Sequence, residues 1–323
     1  MKKVVVIGGG TGTYVVLSGL KKYDLELSAI VSMMDSGGST GRLRDQLGVL
    51  PPGDLRQCLV ALSDASDLWR RLFLYRFKSG DLKGHNFGNI FLTALEKTTS
   101  DYNEVVNTAS YILKTRGKVI PVTFDKTHLC VTYMDGETIK SEELIDNATH
   151  KQSVINKAFL TPPAKANQQA IIAILNADFI VIGPGDLYTS LIPNFVVDGI
   201  KKSLQKSSAK IICVVNLMTK RGQTTDYTAK DHVDDLKKYL GRKIDFIIIN
   251  SGKIPPQAEK VYKKHFESVV VDDIVEKENV FRLDLLSKTI YNQSNSDHVM
   301  RSIVRHDSDK LSDVLYRLIN KNV

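Results

Sequence analysis

Four short stretches carry residues suited to holding a phosphorylated ligand. The first is Gly8-Gly9-Gly10-Thr11-Gly12-Thr13, directly after a β-branched apolar run. A glycine turn between a buried strand and a helix bares backbone N–H groups, and these attract an anion together with the helix N-terminus. Taken alone, the same turn is equally a tight strand-to-helix connection. The dinucleotide fingerprint needs glycine where Thr13 stands, and no Gly-Lys in the chain is followed by Ser or Thr as a Walker A loop requires. The second stretch is Asp35-Ser36-Gly37-Gly38-Ser39-Thr40-Gly41-Arg42. An acid ends an apolar run, then a second glycine loop adds hydroxyls and a cation. In a nicotinamide enzyme the acid would hold the ribose and no second loop would be needed. Two such loops point to a ligand with several phosphate or hydroxyl groups.

The third stretch is Gly183-Pro184-Gly185-Asp186-Leu187-Tyr188-Thr189-Ser190, where Gly and Pro set a turn and Thr189 and Ser190 enter a helical turn. The fourth ends another apolar run in Asn216-Leu217-Met218-Thr219. Two further motifs flank helices. In Pro51-Pro52-Gly53-Asp54-Leu55-Arg56, Asp54 reads either as a ligand contact or as an N-cap. In Gly84-His85-Asn86-Phe87-Gly88-Asn89, a His and two Asn suit a base or sugar contact, although a lone His is more often structural. Asp35 is the candidate metal ligand; with Asp54 it could hold Mg²⁺ through one or two oxygens, which the sequence permits but does not require. No cofactor is required. No histidine pair at metal spacing, nucleophile elbow or H-E-x-x-H is present, and no catalytic residue is assigned.

The elements that must position these loops read as strands over 3–7, 27–31, 179–182, 210–215 and 245–250, each apolar on both faces as in a covered parallel sheet. Helical patterns over 15–22, 166–176 and 228–240 alternate with them, which predicts an α/β fold: a Rossmann-like open parallel sheet with helices on both faces. Helices over 67–77, 87–98 and 102–114 form an added layer. Residues 117–161 read as an inserted antiparallel subdomain, with 119–122 and 129–134 as strands and Asp135-Gly136 as a hairpin turn. No linker divides the chain, so 1–323 is expected to form a single Rossmann-like nucleotide-binding domain.

The composition agrees with a globular chain: 323 residues, 42% hydrophobic and 25% charged. Cys58, Cys130 and Cys213 are too scattered for a disulfide framework or a CxxC pair and read as core thiols of a reducing cytoplasm. No apolar run approaches the ~20 residues of a membrane helix, so no membrane association is expected. The net charge of +8 is spread among acids, without a dense basic run or an aromatic platform, and nucleic acid is not expected as a partner. A homo-oligomer of unspecified order is expected.

The six motifs, in their order along the chain, resemble the gluconeogenesis factor family (YvcK-like), which is related to the 2-phospho-L-lactate transferases (CofD-like). That resemblance covers nearly the whole chain and implies binding of a nucleotide-sugar such as UDP-N-acetylglucosamine. It also implies a role linking carbon metabolism to cell shape and wall synthesis, with a protein partner in wall synthesis. On this reading the loops at 8–13 and 183–190 hold the diphosphate. Asp35 and Asn216 contact ribose or base, and the 84–89 segment closes over the ligand. The transferase branch implies Mg²⁺-assisted transfer of a phospholactyl unit to a deazaflavin. The family usually has two adjacent aspartates where this chain has Asp35-Ser36, which weakens the transferase reading.

Overall fold

The computed structural model describes residues 1–151, 153–276, 278–290 and 302–320. Its strands are β1 (Lys2–Gly8), β2 (Leu25–Val31), β3 (Lys118–Pro121), β4 (His128–Tyr133), β5 (Thr138–Lys140), β6 (Ile155–Thr161), β7 (Phe179–Ile182), β8 (Lys210–Val214), β9 (Phe246–Asn250) and β10 (Val280–Leu283). The helices that matter first are α1 (Gly10–Leu20), α2 (Gly38–Leu47), α3 (Gly53–Leu62), α4 (Asp67–Leu74), α5 (Phe87–Thr98), α6 (Tyr102–Leu113) and α7 (Glu142–Asp146). Later ones are α8 (Gln168–Leu175), α9 (Ile192–Phe195), α10 (Ile200–Lys206), α11 (Ala229–Leu240), α12 (Pro256–Lys264) and α13 (Ser308–Asn320).

Seven strands form one parallel sheet in the order β10-β9-β8-β7-β1-β2-β3. The central strands are apolar on both faces because both are covered; Val4, Val6 and Ile7 of β1 and Ile180, Val181 and Ile182 of β7 have no exposed surface. From β1 the chain steps outward through β2 to β3, then returns to β7 and steps the other way. Right-handed crossovers therefore put the helices of the two halves on opposite faces. The strand order reverses between β1 and β7, and an open α/β sheet opens a crevice at the carboxyl ends there.

A three-stranded antiparallel sheet, β5-β4-β6, stands apart, its hairpin turning at Asp135-Gly136 with Gly136 at φ 89°. One expectation is corrected. The run 119–122 does not belong to the antiparallel part: β3 pairs in parallel with β2, Ala29 opposite Val119, as the edge of the large sheet. Its ending in Pro121 suits an edge, where a missing N–H costs no ladder bond. Among the described residues no helix is long and apolar enough to cross a membrane, and all three cysteines are free and buried.

Candidate functional site

The carboxyl ends of β1, β7 and β8 open into a cleft of about 280 Å³. Three helices begin at its wall: α1 with Gly10, Thr11 and Gly12, α2 with Gly37, Ser39 and Thr40, and α3 with Gly53 and Asp54. Converging N-termini bring partial positive charge and backbone N–H groups to one place. The third loop supplies Pro184, Gly185, Asp186, Thr189 and Ser190, and the fourth Asn216 and Thr219. Asn216 fixes the third loop by accepting from the Gly185 N–H at 3.0 Å.

The glycines of the first loop have different reasons. Gly10 has φ 63°, which L-residues rarely adopt, and a β-carbon at Gly12 would collide with the Pro184 carbonyl. That contact seats the start of α1 against the β7 loop. Thr13 does not face the cleft: it is fully buried and its Oγ1 donates to the Gly9 carbonyl at 3.1 Å.

Asp54 is not an N-cap; Pro52 precedes α3 in that position, and Asp54 lies in the first turn. Its Oδ1 instead accepts from the Gly10 N–H at 2.8 Å, so a carboxylate of α3 sits at the N-terminus of α1. Asp54→Ala should cost about 1 kcal/mol of stability, as loss of a helix-terminal acceptor does. Urea titration checks this, and an unchanged midpoint would show the contact to be idle.

Asp35 stands at the cleft and accepts from the Gly37 N–H at 3.0 Å, which shapes the entry to α2. Ser36 turns away. Its N–H donates to Glu142 Oε2 at 3.1 Å, and its Oγ accepts from the Glu143 N–H at 2.8 Å. Ser36 thus clamps α7, and α7 delivers Glu142 and Asp146 to the cleft. Arg42 is not the phosphate cation that its place suggested: it is exposed and donates to the Lys83 carbonyl at 3.3 Å. Arg56 and Arg76 line the cleft instead.

The 84–89 motif is mainly a support. The Ser39 Oγ lies 3.3 Å from His85 Nδ1 and accepts from the Asn86 N–H at 3.2 Å. Asn86 caps α5 by accepting from the Asn89 N–H. Asn89 alone of the motif reaches the cleft; its Oδ1 accepts from Arg56 Nε at 2.7 Å. Burial, then Arg42 and Arg76, lower the His85 pKa. Gly8, Thr13, Ser36, Arg42, Asn86 and Gly183 line none of the cleft, and Gly38 lines only an adjoining cavity.

Sequence reasoning missed an ionic cluster. Glu142 and Asp146 meet Lys220 and Glu267 at the cleft, and Lys220 Nζ lies 3.9 Å from Glu267. Burial, followed by the charges of Asp35 and Asp146, pushes the Glu142 pKa well up. Burial and then Asp186 push Asp146 up to about 6. Asp146 accepts from Gln223 Nε2 at 2.6 Å and from Thr189 Oγ1 at 3.1 Å. Burial opposes the charge on Lys220, but Asp186, Asp146 and Glu267 outweigh it and raise the Lys220 pKa. Arg56 closed a motif already singled out and Lys220 stood next to Thr219 of another, so position beside those residues was the signal available for them. Glu142 and Asp146 come from a five-residue helix in the antiparallel excursion, with no motif to announce them. Among the described residues no three His, Cys, Asp or Glu side chains converge as a metal-binding group.

Another wall sets Leu217, Met218, Tyr262 and Val304, which belong to a small core cluster of their own, beside the polar groups of His265, Arg305 and His306. A second cavity of about 660 Å³ adjoins the cleft and shares Asp35, Glu142, Asp146 and Lys220 with it.

Residues 4–290 match the family model described as 2-phospho-L-lactate transferase CofD. The gluconeogenesis factor of Bacillus subtilis is 37% identical over 322 residues, 99% of this chain and 98% of that protein. The gluconeogenesis factor of Listeria innocua is 38% identical over 327 residues, 99% of this chain and 97% of its own length. A crystal structure of a UPF0052 family member from Bacillus halodurans superposes with a TM-score of 0.88 at 35% identity, over 97% of this chain and 99% of that one.

Proposed function

The chain belongs to the CofD family and, within it, to the gluconeogenesis factors, and from that premise we propose that it binds a nucleotide-sugar as a regulatory protein. UDP-N-acetylglucosamine is the ligand type proposed, with a role linking carbon metabolism to cell shape and wall synthesis in the cytoplasm. The observation that carries the binding is the convergence of α1, α2 and α3 at the strand-order reversal. Helix N-termini favour a diphosphate there. The wall of Leu217, Met218, Tyr262 and Val304 offers an apolar surface to a base. The hydroxyls and amides of Ser39, Thr189, Ser190 and Asn89 offer partners to a sugar. Mg²⁺ at Asp35 is not needed for this role.

The adjoining cavity is the observation that favours a second reading, a phospholactate-type transferase, because such an enzyme must seat an acceptor beside its donor. One experiment separates the two. Purified protein is screened by thermal shift against UDP-sugars and GDP, with Mg²⁺ or a chelator. It is then incubated with an activated phospholactate donor, a deazaflavin and Mg²⁺. The binding reading expects a UDP-sugar at ~100 times its dissociation constant to add about 2.7 kcal/mol of stability, with little Mg²⁺ dependence and no transfer product. Asn216→Ala, which frees the Gly185 N–H, should weaken that binding. No stabilisation by any UDP-sugar would overturn the proposal, and product formed over many turnovers would establish the enzyme.

A further inference from the structure

Helix α4 packs inward through Phe73, which is fully buried and meets Phe91 edge-on at 5.2 Å. Its outer surface is not the polar face expected of a surface helix. Leu68 is 66% exposed, and Leu72 and Tyr75 follow it at positions i+4 and i+7, with Tyr75 47% exposed. These three lie on one stripe. Trp69, the single tryptophan of the chain, borders the stripe at 39% exposure. Leu74 and Leu82 add further exposed apolar surface within the same fifteen residues. Isolated exposed leucines are ordinary, whereas a contiguous apolar stripe marks an interaction surface.

The charges on α4 say what covers it. Asp67 lies in its first turn and Arg71 in its last, both largely exposed and paired with each other at 2.7 Å. Lys78, exposed, follows beyond the helix end. A surface acidic at one end and basic at the other is complementary to itself when two copies meet antiparallel about a two-fold axis. The antiparallel arrangement also sets the positive end of each helix dipole beside the negative end of the other. We propose that the stripe formed by Leu68 and Leu72 of α4 with Tyr75 at its C-terminal cap is the core of a two-fold homodimer interface, with Asp67 of each copy facing the basic end of α4 in the other.

The test is sedimentation of the full chain over a range of concentrations, read beside the emission of Trp69. The parent is expected to dimerise, with Trp69 emission moving to shorter wavelength as the dimer fills. Leu68→Glu and Arg71→Glu should each raise the dimer dissociation constant about tenfold or more, with circular dichroism unchanged. Both positions are solvent-facing, so the fold is retained. The double substitution Asp67→Arg with Arg71→Asp restores the complementary order and should recover dimerisation. A parent chain that stays monomeric throughout overturns the proposal and leaves the stripe to a different partner. A dimer insensitive to Leu68→Glu and Arg71→Glu overturns it too.

Discussion

Gly12→Val is expected to abolish nucleotide-sugar binding and to destabilise the chain by several kcal/mol. A β-carbon at this position would collide with the Pro184 carbonyl, a backbone atom that cannot rotate aside. Either the N-terminus of α1 or the loop after β7 must move, and these two walls form the strand-order reversal. Overpacking commonly costs about 1–3 kcal/mol, and a collision with the Pro184–Gly185 backbone, which cannot move aside as a side chain can, places this case at the upper end. Gly10→Ala is the useful comparison. Gly10 has space around it, with Ser190 Oγ 3.8 Å from the place a β-carbon would take, but its φ of 63° penalises a side chain. It should therefore lose stability with less disturbance of the cleft. Calorimetry with the best UDP-sugar and urea titration together check the pair. Gly12→Val binding with parental affinity would show that the contact does not set the site.

The second large effect concerns pH. Asp146 titrates at about 6 in the fold against an ordinary 3.8, and Glu142 is also held well above its usual range. Between those limits the folded chain binds more protons than the unfolded one, so stability falls as pH rises. The contribution is fully present below about pH 4 and is lost as pH climbs through about 6. The direction is opposite to ordinary acid denaturation. Asp146→Asn keeps an acceptor for Gln223 and Thr189 and removes the charge. It should flatten this part of the pH profile of the urea midpoint and stabilise the chain at neutral pH. An anionic ligand should bind more tightly to this variant, and the parent should gain affinity as pH falls. An identical slope in both proteins would place the effect elsewhere.

The parts of this architecture legible in the sequence are those whose surroundings are uniform. β1, β2, β7, β8 and β9 are covered on both faces, so unbroken runs such as Val4-Val5-Val6-Ile7 announce them. β10 is an edge strand whose Arg282 and Leu283 are exposed, and no such run exists there. β3 is four residues long and lies next to the hairpins in sequence, so its parallel partner across the sheet leaves no local trace. The same division holds at the cleft. Glycine loops following strands are local features and were readable. Asp54 looked like a cap because local sequence cannot show that the Gly10 N–H comes within reach across the cleft. Ser36 looked like a ligand group because its partner, the Glu143 N–H, is more than a hundred residues away. Arg42 and Arg56 each follow a glycine motif; the helix faces they occupy, and not their type, decide that Arg56 enters the cleft.

The placement of β1 also sets an order of events during synthesis. Val4 pairs with Leu27 on one side and with Phe179 on the other. A chain emerging from the ribosome can lay β2 beside β1 early, but the other edge of β1 stays open until β7 has been made. An open strand edge is a template for unwanted pairing, and long-range parallel pairings close slowly. The helix on that strand waits longer still. Ser308 of α13 donates to the Val15 carbonyl of α1 at 2.8 Å, and the bare backbone of Gly19 makes room for Ser312. One side of α1 can therefore pack on α3 soon after both are made, whereas the side that α13 covers stays open until more than 280 further residues have been added.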